Sequence, residues 1–307
     1  MTVEPGLPRR RAALALAVAL PLAVAFPGGC DSPRGEDATQ ASAPLPSPAG
    51  ITVTDSDGRS VHLPAPAGRI VSLVPSATLS LDALGAGDRL VARTDHDTAT
   101  WTAHLPSVGG GLHPSLESVV AARPDLVIRF GGPQDLRTPG TLDELGIPHV
   151  AIRPDGIDDI METLRLLGAV TGRGAAADSL VATLESELAR VRAHARTLPP
   201  VRTAYVLGGD PPWVAGPGTY IDEILSLAGG VNAFRELGSL YASVSLEEFV
   251  ARDIQVVLTP DPGRLNRRAL GDARVQATGD ALELPGPGVA EAAWRVFRLL
   301  HPDGTPP

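Results

Sequence analysis

The feature that most constrains the fold is a segment, residues 175–195, that contains neither proline nor glycine. The chain has 33 glycines and 30 prolines among 307 residues, so an uninterrupted segment of this length stands out. Its large apolar residues are spaced as on one face of an α-helix: Leu180, Val181, Leu184, Leu188 and Val191. With its ends it predicts one helix of about 33 Å, at 1.5 Å per residue.

Apolar strand patterns alternate with helical patterns on both sides of this helix. Strands are predicted at 51–54, 60–63, 70–74, 90–92, 126–130, 149–152, 203–207 and 256–259. Helices are predicted at 78–84, 116–122, 136–145, 157–170, 220–227, 246–251 and 289–300. Such alternation predicts parallel sheets covered by helices. The expected architecture is two α/β halves joined by one long helix, with no close internal repeat in sequence.

The first thirty residues have the pattern of an export signal. Three arginines, residues 9–11, precede a charge-free apolar run at 12–26, which is short for a membrane span. The run ends before Cys30, the only cysteine of the chain. Small residues before a cysteine resemble a bacterial lipobox, although Pro27 stands where leucine is usual. We therefore expect Cys30 to be lipidated; the alternative is an incidental cysteine behind an ordinary signal peptide.

These patterns predict a division of the chain into six segments. They are a signal peptide at 1–29, a lipidated cysteine with a disordered tether at 30–50, an N-terminal lobe at 51–173, a bridging helix at 174–198, a C-terminal lobe at 199–301 and a tail at 302–307. The tether is rich in proline, serine and alanine and cannot bury enough apolar surface to order itself. The predicted location is therefore exported, either anchored to the outer face of the cytoplasmic membrane or in the periplasm.

Eight short phrases together resemble one family. They lie at 69–76, 84–88, 108–110, 114–117, 123–128, 211–213, 227–232 and 244–247. Their order is that of the helical-backbone periplasmic binding proteins, which carry cobalamin, ferric siderophores or haem to ABC importers. The resemblance covers roughly residues 69 to 301 and implies two Rossmann-like lobes with parallel sheets, bridged by one long helix, with the ligand held between them.

The resemblance implies a receptor and no enzyme. The expected function is to capture a metal chelate, a corrinoid or a ferric siderophore, and to deliver it to the permease subunits of an ABC importer. No enzyme cofactor is implied, since the metal arrives within the ligand. A formal net charge of −9 argues against a nucleic-acid partner. The remaining expectations are a monomer and a membrane contact through the lipid.

Five residues are expected to bind the ligand by position in the family. Trp213 and Tyr241 match aromatic positions and are expected to form facing walls for a planar chelate. His96, Asp97 and His113 lie in the polar segment that would form the cleft rim. The sequence departs from the family at three further positions: Gly111 replaces an aromatic residue, and Leu284 and Gly288 lie where arginine is frequent. The cleft is therefore expected to be more open and less cationic.

Glu117 and Glu247 match the family's docking carboxylates, one on each lobe. They would pair with arginines of the permease. The alternative is that each only stabilises the dipole at the start of its helix.

Two other functions stay open at this point. His96 and His113 could bind haem iron or a bare zinc or manganese ion, because imidazole and carboxylate ligands suit these metals. A hydrolase is the remote alternative, since Ser72 and Ser76 lie near an opening strand, but no Gly-x-Ser-x-Gly motif holds either serine.

Overall fold

The computed structural model describes residues 50–135, 137–265 and 270–304. The predicted signal peptide, Cys30 and nearly all of the predicted tether lie outside these ranges. No helix of the described part combines the length and the apolar character that crossing a membrane requires.

An antiparallel hairpin opens the described chain, as predicted. It pairs β1 (Ile51–Thr54) with β2 (Ser60–Leu63). Its turn is closed by one side chain: Asp55 Oδ1 accepts the backbone N–H groups of Asp57 at 3.0 Å and Arg59 at 2.9 Å.

The N-terminal lobe is built on a four-stranded parallel sheet in the order β4-β3-β5-β6. Its strands are β3 (Ile70–Ser72), β4 (Leu90–Ala92), β5 (Leu126–Phe130) and β6 (His149–Ile152). Its helices are α1 (Pro75–Ala83), α2 (Leu116–Ala121), α3 (Arg137–Glu144) and α4 (Ile157–Val170). Helix α1 begins earlier than predicted because Pro75 occupies its first turn, where the missing N–H and fixed φ of proline are favourable.

Helix α5 (Gly174–Ala195) is the predicted bridging helix. It buries a stripe of residues at alternating four- and three-residue spacing: Ala177, Val181, Leu184, Leu188, Val191 and Ala195. Ala177 belongs to the core of the N-terminal lobe, Val181 belongs to the core that the C-terminal lobe shares with buried residues of α4, and Leu180 packs against both. One continuous helix face therefore joins the two hydrophobic cores.

The C-terminal lobe is built on a six-stranded sheet around β7 (Val201–Gly208). The other strands are β8 (Trp213–Ala215), β9 (Gly230–Asn232), β10 (Tyr241–Ser243), β11 (Val256–Thr259) and β12 (Arg274–Ala277). Strands β9, β7, β11 and β12 are parallel, and β8 and β10 add an antiparallel edge, so this sheet is mixed. Its helices are α6 (Tyr220–Leu227), α7 (Leu246–Val250) and α8 (Val289–Leu300). The predicted two-lobed α/β fold is confirmed.

Candidate functional site: the cleft between the lobes

Three adjoining cavities form a cleft between the two lobes. Their volumes are about 490, 410 and 410 Å³. All three are lined by Pro75, at the start of α1 in the N-terminal lobe, and by Leu284, which precedes α8 in the C-terminal lobe. A domain interface of this kind is a frequent location for a ligand site.

The chain has three tyrosines, and all of them line one cavity of the cleft. Tyr205 lies on β7, Tyr220 begins α6, and Tyr241 begins β10. The hydroxyl of Tyr220 donates to the carbonyl of Leu282. Burial raises the pKa of all three phenols, that of Tyr241 to about 12, so they remain neutral donors at physiological pH. Tyr205 and Tyr220 were not predicted, although tyrosine is rare enough here for its positions to be informative.

Trp213 and Tyr241 were predicted to face each other, but the structure places them differently. Strands β8 and β10 are antiparallel, with Ser243 opposite Trp213 and Tyr241 opposite Ala215. Because side chains alternate along a strand, both rings lie on the same face of the sheet, side by side. Tyr241 is half-buried in the cleft, whereas Trp213 is 46% exposed and lines none of the three cavities. The geometry therefore favours Tyr241 as a ligand contact.

The structure separates the three predicted polar residues. His96 is exposed and lines two cavities of the cleft. Asp97 is buried, and its Oδ2 accepts the backbone N–H and the hydroxyl of Thr94, both at 2.7 Å, so this carboxylate braces the loop. His113 is exposed and lines none of the three cavities. Within the described ranges, no group of three or more histidine, cysteine, aspartate or glutamate residues is arranged to hold a metal ion.

The three departures from the family have structural counterparts. At Gly111 a Cβ atom would overlap the carbonyl oxygen of Leu73 and lie 3.1 Å from Cε2 of Phe130, so this loop leaves no room for a side chain. Leu284 and Gly288 both line the cleft. These two positions, where relatives frequently have arginine, therefore belong to the cleft surface and carry no positive charge here.

Two hydrogen bonds donated by backbone N–H groups join the lobes beside the cleft. The N–H of Tyr220 donates to the carbonyl of Asp155. The N–H of Ile157, the first residue of α4, donates to Oε2 of Glu223 on α6 at 2.8 Å. Burial raises the pKa of the Glu223 carboxyl above its ordinary value. The first turn of α6 thus supplies both a cleft tyrosine and hydrogen bonds between the lobes, in addition to α5 and to the packing of α4 against the C-terminal core.

Glu117 and Glu247 occupy equivalent positions of one local structure that occurs in each lobe. Both are exposed and lie in the first turn of a short helix, α2 or α7. The helices are capped in the same way: Ser115 Oγ accepts the N–H of Ser118 at 3.2 Å, and Ser245 Oγ accepts that of Glu248 at 3.1 Å.

The two copies can be aligned without gaps over eleven residues, 115–125 and 245–255. Each residue of the second copy lies 130 positions after its counterpart in the first, as Glu247 does after Glu117. An exposed valine follows each glutamate by three residues, Val120 at 42% and Val250 at 59%. Each helix is followed by a residue with left-handed φ, Arg123 at 48° and Asp253 at 50°. The expectation of no close internal repeat was wrong for this segment, which is repeated in structure and partly in sequence.

Each copy leads directly into a strand of a parallel region, β5 or β11. The start of each short helix therefore lies toward the end of the sheet where the strands finish. Two cleft residues lie at the ends of those same strands: Phe130 is the last residue of β5, and Pro260 follows β11. We therefore place both glutamates at the cleft-bearing end of their lobes.

Comparison with known proteins identifies the family. The sequence model of the periplasmic binding proteins matches residues 70–282. The chain belongs to this family. Members are exported proteins that bind solutes for transport, so the chain is a binding protein and not an enzyme, and the hydrolase alternative is set aside.

Individual members of the family resemble the chain over most of its length. A cobalamin-binding protein of Halobacterium salinarum is 31% identical over 290 residues, which cover 90% of this chain and 74% of the relative. The crystal structure of the periplasmic vitamin B12-binding protein of Vibrio cholerae superposes with a TM-score of 0.67 at 27% identity, covering 76% of this chain and 97% of that one. An Fe³⁺-hydroxamate transport protein of Saccharomonospora viridis has a TM-score of 0.66 at 24% identity over 81% and 98% of the chains, which supports the fold.

Proposed function

We propose that this protein is the substrate-binding component of an ABC importer and captures a corrinoid, or alternatively a ferric siderophore, between its lobes. The observation that carries the proposal is the interlobe cleft lined by all three tyrosines of the chain. The two relatives that bind cobalamin support the corrinoid in particular.

The chemistry of the cleft suits a large chelate whose metal is already coordinated. The half-buried ring of Tyr241 offers flat apolar surface, and its neutral hydroxyl can donate a hydrogen bond to an amide or hydroxamate oxygen. Tyr205 and Tyr220 are buried, and the hydroxyl of Tyr220 already donates to Leu282, so these two shape the cleft wall. Of the two candidate histidines only His96 lines the cleft, and the described residues contain no metal-binding group of three. The protein therefore needs to recognise the periphery of the ligand, with no bond to the metal.

Haem is the second candidate, and one observation favours it. The imidazole of His96 is exposed in two adjoining cavities, where it could coordinate an iron atom. Among the described residues, however, the cleft lining offers a single arginine, Arg153, to the propionates of haem, and its guanidinium already pairs with Asp155 at 2.6 Å. We therefore rank haem below a corrinoid.

The proposed partners are the permease subunits of the importer. Glu117 and Glu247 would each pair with a basic residue of one subunit, and the exposed Val120 and Val250 would add an apolar contact beside each pair. The constant 130-residue separation supports this proposal, because two equivalent corners of one chain fit two equivalent surfaces of a dimeric partner.

The proposed mode of attachment is a lipid on Cys30. Support comes from the apolar run and the small residues before this single cysteine. A proline- and serine-rich tether would leave a monomeric receptor free to reach the permease.

The direct test is the visible absorption spectrum of the protein purified from its own host. A corrinoid, a haem and a ferric siderophore have distinct visible bands, so a corrin spectrum in stoichiometric amount would support the proposal. A Soret band that is lost in His96→Ala would establish haem instead. Protein that carries no chromophore and binds neither added cyanocobalamin nor added ferric hydroxamate would refute the chelate function.

A further inference from the structure

The described residues that line the cleft carry a strong excess of negative charge. Its described lining contains one guanidinium, Arg153, and five carboxylates: Asp97, Asp155, Asp280, Glu283 and Glu291. Two of the carboxylates are engaged within the protein, since Asp155 pairs with Arg153 and Asp97 accepts hydrogen bonds from Thr94. The only cation of this lining is therefore neutralised, and the remaining charge is negative.

The other three carboxylates come from one segment of the C-terminal lobe, residues 280–291. Asp280 and Glu291 line one cavity, and Glu283 lines the other two. All three are exposed, and none forms an ion pair with a described residue. This segment also contains Leu284 and Gly288, so the surface that lacks arginine carries carboxylates instead.

Helix stabilisation accounts for two of these carboxylates but not for the third. Asp280 and Glu291 lie in the first turns of a short 3₁₀ helix and of α8, where negative charge is favourable. Glu283 follows the C-terminal end of the 3₁₀ helix, where negative charge is unfavourable. A role in the cleft explains Glu283 better, because both cavities that it lines are also lined by Tyr241.

We infer that the cleft discriminates among metal chelates by charge: it binds a cationic chelate more tightly than a neutral one, and a neutral one more tightly than an anionic one. This inference rests on the proposed function and adds the charge class of its ligand. Glu283 is the main determinant, because carboxylates confined in a cleft attract a bound cation and repel an anion. Because exposed charge pairs are individually weak, we expect about a threefold change in Kd per unit of ligand charge at low salt.

The test uses three corrinoids that differ only at one peripheral side chain. They are cyanocobalamin, which is neutral; its monocarboxylic acid, which carries one negative charge; and the aminoethyl amide of that acid, which carries one positive charge. We expect the Kd of the wild-type protein to fall in the order acid, neutral, amine, by about tenfold across the series at low ionic strength. The spread should shrink in 0.5 M salt, because screening weakens exposed charge interactions.

The matched variants identify the residue responsible. Glu283→Gln should reduce the spread to less than half on a logarithmic scale, and Glu144→Gln should leave it unchanged, since Glu144 is exposed on α3 outside the cleft lining. Equal Kd values for the three corrinoids, or tighter binding of the acid, would overturn the inference and leave the proposed function intact.

Failure of the proposed ligand gives a different result. If no corrinoid binds, the same comparison is made with ferrioxamine B, which carries a free ammonium group, and its neutral N-acetyl derivative. Preference for the ammonium form, lost in Glu283→Gln, would support charge selection in a siderophore receptor. Binding of neither class would overturn both the function and the inference.

Discussion

The carboxylate of Glu223, on the C-terminal lobe, accepts the backbone N–H of Ile157 at the start of α4 in the N-terminal lobe, at 2.8 Å. The first N–H groups of a helix have no partner within the helix, and Ile157 is buried. One lobe therefore caps a helix of the other, three residues away from the cleft tyrosine Tyr220.

Removal of this cap should loosen the connection between the lobes. Glu223→Ala is expected to destabilise the fold by about 0.5–2 kcal/mol, as loss of a helix cap commonly does. It should also accelerate hydrogen exchange at the amide of Ile157, measured by NMR or mass spectrometry. Glu223→Gln keeps an acceptor oxygen and should behave nearly as wild type. Unchanged exchange at Ile157 in the alanine variant would contradict the capping role.

The buried imidazole of His149 makes stability depend on pH. Two guanidinium groups approach its Nδ1: Arg129 Nε lies at 3.0 Å and Arg59 Nη1 at 2.9 Å. Its Nε2 lies 3.1 Å from Asp143 Oδ1. Burial, and then the charges of Arg59 and Arg129, lower the pKa of His149, against the opposing effect of Asp143. The neutral imidazole thus connects the opening hairpin to β5, β6 and α3.

The sign of the pH effect follows from these contacts. Below the ordinary pKa of histidine, about 6.5, the unfolded chain binds a proton at His149 more readily than the folded chain does. The free energy of unfolding therefore decreases as the pH drops from about 6.5 toward the lowered pKa of the folded state. Urea unfolding at pH 7.5 and 5.5 should show a smaller pH-dependent loss in His149→Gln than in wild type. His62→Gln, on the exposed face of the hairpin, should keep the wild-type difference. A pH dependence identical in wild type and His149→Gln would refute this assignment.

The docking proposal predicts a separation of transport from binding. Charge reversal of both glutamates, Glu117→Arg with Glu247→Arg, should abolish uptake in cells. The ligand Kd should stay within a few-fold of the wild-type value, because neither residue lines the cleft cavities. Val120→Ser with Val250→Ser should reduce uptake without a change in Kd. Loss of ligand binding with preserved uptake would show that Glu117 and Glu247 act in ligand binding and not in docking.

The lipid anchor is tested by one substitution. Cys30→Ser should move the protein from the membrane fraction to the soluble exported fraction, because a serine cannot carry the thioether-linked lipid. Membrane fractionation followed by immunoblotting provides the measurement. Equal membrane retention of the variant and the wild type would exclude Cys30 as the anchor.

Most of the fold could be predicted because its signals are local. The helix at 157–170 and the strand at 149–152, for example, show their periodicity within their own residues, and both begin and end as predicted. The three-residue strands β3 and β4 were predicted, so length alone is not decisive. Strands β8, β9, β10 and β12 lie next to glycine, proline or polar residues, which hide a strand pattern, and were missed. They exist because β7 and its neighbours supply hydrogen-bonding partners from distant parts of the chain.

The site was predicted less completely because it depends on register and loop geometry. The sequence indicated the positions of Tyr241 and His96 but not that Trp213 shares a sheet face with Tyr241, which follows from the pairing of β8 with β10. It also could not show that Tyr205, Tyr220 and Tyr241 meet in one cavity. The repeat around Glu117 and Glu247 is present in the sequence only as the short motif Ser-Leu-Glu. The shared serine caps and the left-handed residues after both helices show that it is also a repeat of local structure.

Titration of purified, ligand-free protein with cyanocobalamin tests the central claim most directly. We compare wild type with two double variants, Trp213→Ala/Tyr241→Ala and His96→Ala/His113→Ala. The aromatic pair should weaken binding by about thirtyfold or more, equivalent to about 2 kcal/mol, with most of the loss reproduced by Tyr241→Ala alone. The histidine pair should change Kd by less than about threefold, since the metal arrives already coordinated. An essential histidine pair together with a dispensable aromatic pair would contradict the chelate-receptor account.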